Sequence, residues 1–499
     1  MFKNIISKVR GLLYKMGLIK GIKKITQHKN IIADDEFYDR MNIWHVLYKG
    51  YYEEWHKVKY HTIESGEQTR RMHTLNMPKV LSEEMAKLIF NEKCEINISD
   101  GGLKEKIDKV LKDNKFYHQF QRYLEYMFAL GGMAIKVYAD ENDKICIGFV
   151  SADCFIPIRQ NNSDIQEGLF VNQSKKAMNG KNIYYTLLEW HTWENGDYVI
   201  SNELYKSEMC GEIGYKTSLA ELYPSLAETV TIKDIKRPLF IYSKPNVANN
   251  FDTQSPLGIS IYANCLDTIK ALDVAFDSFM REFKLGKKRI IVPQSAVKTV
   301  IDPITGSPRR YFDANDEVYE ALNFEMDSTA KNIQDISVEL RVEEHISAIQ
   351  AFLDILSMQV GFSAGTFTFD GKGVKTATEV ISENSKTFRT MTSHESLVEE
   401  AIRDLVRAIV DVAALYKIFT VTEDFEVNVD FDDSIIEDTE AVAKRAMLEL
   451  NSGIIDKVIY YQRVYKYTKE QAVDLVAEIE ARSPPPDEGD FIPGGDGDE

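Results

Sequence analysis

The chain has few cysteines, no patterned histidines, no long apolar run and a shortage of positive charge, and each lack closes off a class of protein. No uninterrupted apolar stretch approaches the roughly 20 residues of a bilayer-crossing helix. The five cysteines (Cys94, Cys146, Cys154, Cys210 and Cys265) are odd in number and scattered, with no C-x-x-C pair. That argues against a disulfide framework or a zinc site and predicts free thiols in a reducing interior. The nine histidines show neither H-E-x-x-H nor any other metal-ligand spacing, so no metal and no cofactor is expected. With 60 basic against 78 acidic residues the net charge is −18. A broad basic face is therefore excluded, and any contact with nucleic acid has to be local or non-adhesive.

What is present is ordinary globular material. A length of 499 residues allows two or more domains, and 44% hydrophobic with 28% charged residues matches a chain that folds around large cores. Charge is unevenly placed. Residues 1–33 carry eight cations (Lys3, Lys8, Arg10, Lys15, Lys20, Lys23, Lys24, Lys29) and no acid. Residues 487–499 carry six acids and no cation, so removing both ends leaves a body of −20. Ile5, Ile6, Val9, Leu12, Leu13, Met16 and Leu18 make the basic arm amphipathic at helical spacing. It lacks the apolar core of a signal peptide. Two uses remain open for it: a peripheral membrane-scaffold helix, or an arm docking on a neighbouring subunit or acidic partner.

In chain order, Ile32 to Trp55 is aromatic and predicts packed helix. Met77 to Asn91 predicts a helix with Pro78 near its start, Cys94 to Ile98 a short strand, and Leu103 to Leu130 one long helix ended by Gly131-Gly132. From Met133 to Tyr205 the pattern switches to period two, with turns at Asp140–Asp143 and Glu194–Asp197, giving an antiparallel α+β body. Ser255 and Pro256 predict the start of a helix over Leu257–Leu285. Its apolar seam is Ile259, Tyr262, Leu266, Ile269, Leu272, Phe276, Phe279 and Phe283, with Asp267, Asp273 and Asp277 on other faces. Residues 286–337 form a small β-containing module that opens on Lys287-Lys288-Arg289 and resumes at Arg309-Arg310 after the turn Asp302–Pro308. Phe419 to Phe431 predicts strand pairing, and Thr439 to Arg482 predicts helices broken at Asn451–Gly453. The acidic end has the composition of a disordered tail.

The chain is organised around residues 338–417. Val342, Ile346, Ile349, Leu353, Leu356 and Val360 form one helical seam. The loop 361–375 then carries four glycines, three phenylalanines and two lysines. Thr376 with Glu379 reads as a capping box that restarts the helix, and Val398, Ile402, Leu405, Ile409, Val412 and Tyr416 continue a second seam. Gly361-Phe-Ser363-Ala-Gly365 matches a nucleophile elbow, which would make Ser363 a hydrolase nucleophile. That motif requires a strand before the serine, and a helix stands there instead. Gly371-Lys372-Gly373 departs from the phosphate-loop pattern at the residue after the lysine. His345 and His394 read as packed or solvated, and Glu343-Glu344 and Glu399-Glu400 as solvated faces.

The order of these parts resembles the portal proteins of tailed bacteriophages, of the siphophage type from Gram-positive hosts. The resemblance covers nearly the whole chain. It is most specific at Lys244-Pro-Asn-Val-Ala-Asn-Asn-Phe-Asp252 with Ser255-Pro-Leu-Gly-Ile-Ser260, and at Gly365–Gly373 running into Lys375–Lys386. It implies an α+β, helix-rich portal fold after the N-terminal arm 1–30: an α/β wing 31–255, a first stem helix 256–285, a clip 286–337 and a second stem helix 338–360. A tunnel loop 361–375, a long wing helix 376–417, wing strands 418–433, a helical crown 434–482 and the tail 483–499 complete it. The implied function is a non-enzymatic ring of twelve subunits at one capsid vertex, through which viral DNA is packaged, retained and ejected. The implied partners are double-stranded DNA in the channel, the terminase large subunit, the major capsid and scaffold proteins, and a head-completion or adaptor protein. The implied locations are the virion and, during assembly, the host cytoplasm. On this resemblance Phe367, Phe369, Asp370, Lys372 and Lys375 belong to the channel loop, and Lys287, Lys288, Arg289, Arg309 and Arg310 to the clip face that meets motor and connectors.

Overall fold

The computed structural model describes residues 34–62, 66–91, 94–161, 164–178, 180–286, 339–368, 377–421, 424–431, 439–465 and 469–482, with His28, Ile31, Gly306, Tyr467 and four short strands between 290 and 335. The basic arm, the acidic tail, Lys287–Arg289 and residues 369–376 lie outside the described residues.

Helix α1 (Asp35–Tyr48) starts on the carboxylate of Asp34, which accepts the Glu36 N–H at 2.9 Å, and buries Phe37, Met41, Trp44 and Leu47 at three- and four-residue steps. After the short α2 (Glu53–His56), β1 (Lys57–Thr62) and β2 (Gly66–Arg71) form a two-stranded hairpin. Helix α3 (Met77–Ile89) follows, with Pro78 in its first turn where no N–H is missed. Next come β3 (Glu95–Ile98), α4 (Gly101–Asp113) and α5 (Phe116–Leu130). The single helix expected over Leu103–Leu130 is thus two. Lys115 takes a left-handed φ of 51°. Asn114 instead uses its side chain on the sheet, donating to the Ile145 carbonyl and accepting from the Ile147 N–H, both at 2.9 Å. The expected stop holds: Gly131, at φ 88°, caps α5.

Residues 133–243 form two antiparallel sheets. In the first, β4 (Met133–Ala139) lies between β5 (Ile145–Ser151) and β12 (Phe240–Ser243). The second runs β10-β9-β8-β7-β6, from β6 (Phe155–Asn161), β7 (Asp164–Met178), β8 (Lys181–Glu194) and β9 (Asp197–Ser207) to β10 (Tyr215–Thr217), with β11 (Thr229–Ile232) also on β9. Asn195 and Gly196, both at positive φ, turn β8 into β9 as the Asn-Gly pair predicts. In β7, Gly168 and a polar far half blur the period-two alternation. The glycine is required there, since a Cβ would lie 2.5 Å from the Phe155 ring.

Helix α6 (Leu266–Leu285) begins nine residues later than Pro256 suggested. Residues 257–265 are instead an irregular buried strap: Leu257, Ile259, Ile261, Tyr262, Ala263 and Cys265 are all in the core. The strap crosses the end of α5, where the Ile261 N–H donates to the Phe128 carbonyl at 3.1 Å. Asp273 and Asp277, which lie off the apolar seam as expected, are nevertheless buried. Beyond α6, β13 (Ile290–Ile291) pairs with β16 (Gln334–Asp335), and β14 (Lys298–Ile301) with β15 (Pro308–Tyr311), so the module between the long helices does contain β-structure. Helix α7 (Val342–Val360) packs along α6.

Helix α8 (Ala377–Leu415) is 39 residues long and lies across α3, β4, β12 and β17 (Val427–Asp430). Val398, Ile402, Leu405, Ile409 and Val412 are fully buried, whereas Tyr416, the last residue of the predicted seam, is exposed. Of the strand expected over Phe419–Phe431, the described residues form β17, antiparallel to β3. Three helices end the described chain, α9 (Thr439–Asn451), α10 (Lys457–Tyr465) and α11 (Lys469–Arg482), with the expected break after Asn451. All five cysteines are free thiols.

Candidate functional site

The site that the sequence singles out is the loop between α7 and α8, and its first half is fixed from both sides. Gly361 caps α7 at φ 103°, and a Cβ there would lie 2.7 Å from the Thr390 side chain, whose hydroxyl donates to the Gly361 carbonyl at 2.8 Å. Phe362 is fully buried and meets the ring of Phe367 edge-on, centroids 5.2 Å apart. On α7, Asp354 accepts the Gly365 N–H at 3.0 Å, and Gln350 donates to the Phe367 carbonyl at 3.1 Å. Lys386 reaches back from α8 to the Met358 carbonyl.

Ser363 is part of this anchor. Its N–H donates to the Thr387 hydroxyl at 2.8 Å, and its own hydroxyl accepts the Thr387 N–H at 3.2 Å. It is buried, and both residues serve to clamp the loop to the first turns of α8. Neither a histidine nor a carboxylate bonds the Ser363 hydroxyl among the described residues, so the nucleophile-elbow geometry is not built. Phe367 is half-buried and packs inward on its own chain. Phe369, Asp370, Lys372, Lys375 and the capping residue Thr376 lie outside the described residues. So do Lys287, Lys288 and Arg289. Arg309 and Arg310 lie on β15, opposite Val300 and Thr299.

The loop's supports are held to the wing by polar joints that sequence reading missed. Asn246 ties the 244–256 loop to α8: its N–H donates to His394 Nδ1 at 3.0 Å and its amide to the Ser393 carbonyl at 2.9 Å. Burial drives the His394 imidazole down to about 4. Asn249 then folds the loop on itself, accepting from the N–H groups of Phe251 and Asp252. Lys244 crosses it to the Pro256 carbonyl at 2.9 Å. At the root of α6, Asp273 accepts from Leu75 N–H at 3.1 Å and sits 3.1 Å from His56, while Asp277 takes Arg70 and His73. At its far end Glu282 is gripped by Arg341 through 3.1 and 2.9 Å contacts, which hold its carboxyl at about 2. The pair joins α6 to the start of α7.

No cluster of histidine, cysteine or acidic residues able to hold a metal exists among the described residues, and no described helix is long and apolar enough to cross a membrane. The arrangement is two long helices, α6 and α7, braced against each other, a loop clamped between α7 and α8, and a mixed sheet-and-helix body. Residues 27–485 match the family described as phage portal protein, SPP1 Gp6-like, and the chain belongs to that family. It is a structural family of the virion rather than an enzyme family.

No curated protein sequence matches the chain. Among solved structures it is similar to a chain in the neck of an empty GTA particle computed with C6 symmetry, at 10% identity and TM-score 0.38 over 77% of this chain and 87% of that one. A chain in the virion of the native gene transfer agent particle gives 10% identity and TM-score 0.33, over 75% and 84%. One in the native GTA neck computed with C12 symmetry gives 10% and 0.33, over 77% and 87%. Likenesses this slight add nothing to the family assignment.

Proposed function

We propose that this portal protein works as a closed ring of twelve copies at one capsid vertex, with double-stranded DNA passing along the axis during packaging and ejection. The observation that carries the reading is apolar surface left open on the rods. Val274, Met280, Phe283 and Leu285 on α6, and Ile355 and Met358 on α7, are between 40% and 57% exposed. Apolar side chains left open on both rods need cover from a neighbour, and repeated subunit contacts close when the rotation divides the circle.

The acidic balance of the body supports a conduit that does not hold its cargo, because each lysine–phosphate contact adds affinity by counterion release. Lys372 and Lys375, in the second half of the loop by sequence, are the residues assigned here to passing phosphates, with Phe369 and Asp370 beside them in the chain. The module 286–337, with Lys287, Lys288, Arg289, Arg309 and Arg310, is the assigned docking face for the terminase large subunit and later for a head-completion protein. Capsid and scaffold proteins are the assigned partners of the outer body, assembly taking place in the host cytoplasm. Electron microscopy of the purified protein tests the core of the reading: rings with a central hole are expected, and a monodisperse monomer under assembly conditions would overturn it.

A further inference from the structure

One corner of the acidic body is rich in lysine. Residues 101–118 hold five lysines against three acids, in a chain whose net charge is −18. Here α4, the turn at Lys115 and β3 enclose a groove of about 600 Å³. Its floor is apolar: Ile96, Leu111 and Phe116 are buried. Tyr117 forms one wall, its ring nearly parallel to that of Phe90 with centroids 6.0 Å apart, and 36% of it is open to solvent. Lys104, Lys112, Lys115 and His118 stand around the floor, opposed by Asp108 and Glu95. The left-handed turn at Lys115, which the sequence did not signal, brings Lys112, Lys115 and Tyr117 around one hollow.

An apolar floor inside a lysine-rich rim selects a short peptide with apolar side chains set among acids. The chain holds such a segment. Asp487-Glu-Gly-Asp-Phe-Ile-Pro493 places Phe491 and Ile492 directly after three acids, and three more acids follow. We propose that this groove binds the segment Asp487–Pro493 of this same protein, with Phe491 and Ile492 on the floor and Asp487, Glu488 and Asp490 toward Lys112 and Lys115. The basic arm is the poorer fit, since its eight cations would meet the same lysines. Duplex DNA is poorer too, because it offers the apolar floor nothing. Phe491 lies nine residues beyond Arg482 in the chain, an extended reach of about 30 Å. Tethering supplies the high effective concentration that lets a weak short contact fill its site. The proposal is independent of ring formation.

Hydrogen exchange on the full-length protein tests it, read at the amides of residues 112–118. Wild type is expected to exchange several-fold more slowly there than Phe491→Asp, with equal thermal stability for the two. The Lys112→Glu/Lys115→Glu double variant should show the same loss of protection. Adding a synthetic peptide of residues 486–494 in excess to the Phe491→Asp protein should restore protection, and a scrambled peptide should not. Identical exchange in wild type and Phe491→Asp would overturn the proposal, as would restoration by the scrambled peptide or by the basic arm peptide 1–30 instead.

Discussion

Arg70 grips Asp277 through two parallel contacts of 2.8 and 2.6 Å, tying a β-hairpin of the wing to the root of the first long rod. Asp277 also accepts the His73 N–H at 3.1 Å. Burial opposes its ionisation, but Arg70 and that N–H prevail and hold the carboxyl at about 2. Removing Arg70 would strand a buried carboxylate, a loss on the order of 3–5 kcal/mol when one partner of a buried pair is deleted. Arg70→Ala is therefore expected to lower the denaturation midpoint markedly, while Arg71→Ala, an exposed neighbour, should cost far less. Because the folded value lies below the unfolded one, the stabilisation is present above pH 3.8 and drains away as pH falls toward 2. Asp277→Asn should remove that component, which chemical denaturation at a series of pH values would read.

His394 sets a second and higher pH window. Buried beside Phe128 and accepting from Asn246, its ring is held down to about 4. As pH falls below 6.5, the unfolded chain takes up the proton first, so stability is lost between 6.5 and 4. The total is on the order of 3 kcal/mol for a shift of this size. His394→Gln keeps an acceptor for the Asn246 N–H and does not titrate. Its stability is expected to fall less steeply than wild type over that interval; parallel curves would show that His394 contributes nothing to the acid sensitivity.

The strap 257–265 and the end of α5 meet backbone to backbone. A Cβ on Gly258 would lie 2.4 Å from the Gly131 carbonyl oxygen, and one on Gly131 would lie 2.5 Å from that of Gly258. Neither atom is a side-chain tip that can step aside. Gly258→Ala is expected to cost several kcal/mol, at or beyond the upper range of overpacking, and to leave soluble yield strongly reduced. Gly306→Ala meets no neighbour but sits at positive φ, so it should cost only about 1 kcal/mol. Thermal melts of the two variants separate close packing from backbone strain.

Long periodic elements were legible in the sequence because burial on one helix face writes itself into spacing. The seam Val398–Val412 and the stop at Gly361 appear in the structure where periodicity and glycine place them. Three features were not. The break at Lys115 depends on Asn114 bonding a strand 31 residues away, and the strap at 257–265 on Gly131 being small enough to lie against. The burial of Asp273 and Asp277 depends on Arg70, His73, His56 and the Leu75 N–H arriving from another part of the chain. Each is decided by a distant partner, and local pattern carries no trace of it. The clamp on the loop lies between these cases: Ser363 stands out by its glycines, but only the tertiary structure supplies Thr387.

That clamp fixes residues 361–367, and the DNA contact assigned to the lysines that follow can be tested apart from it. Phe367 belongs to the fixed part: its carbonyl takes Gln350 and its ring packs on Phe362. Changing Lys372 and Lys375 to Glu touches none of these contacts, so the double variant is expected to fold and assemble like wild type by melting and electron microscopy. Four units of charge per subunit then change on the loop assigned to the channel. DNA packaged per particle, measured by nuclease protection, should fall several-fold, and the defect should ease as salt screens the new repulsion. Ser363→Val should behave oppositely: it removes the hydroxyl that accepts the Thr387 N–H, keeps the backbone bond to the Thr387 hydroxyl, and costs stability on the order of 1–3 kcal/mol while leaving the loop's charge intact. Normal packaging by the Lys372→Glu/Lys375→Glu variant would remove those lysines from the mechanism, whatever the ring does.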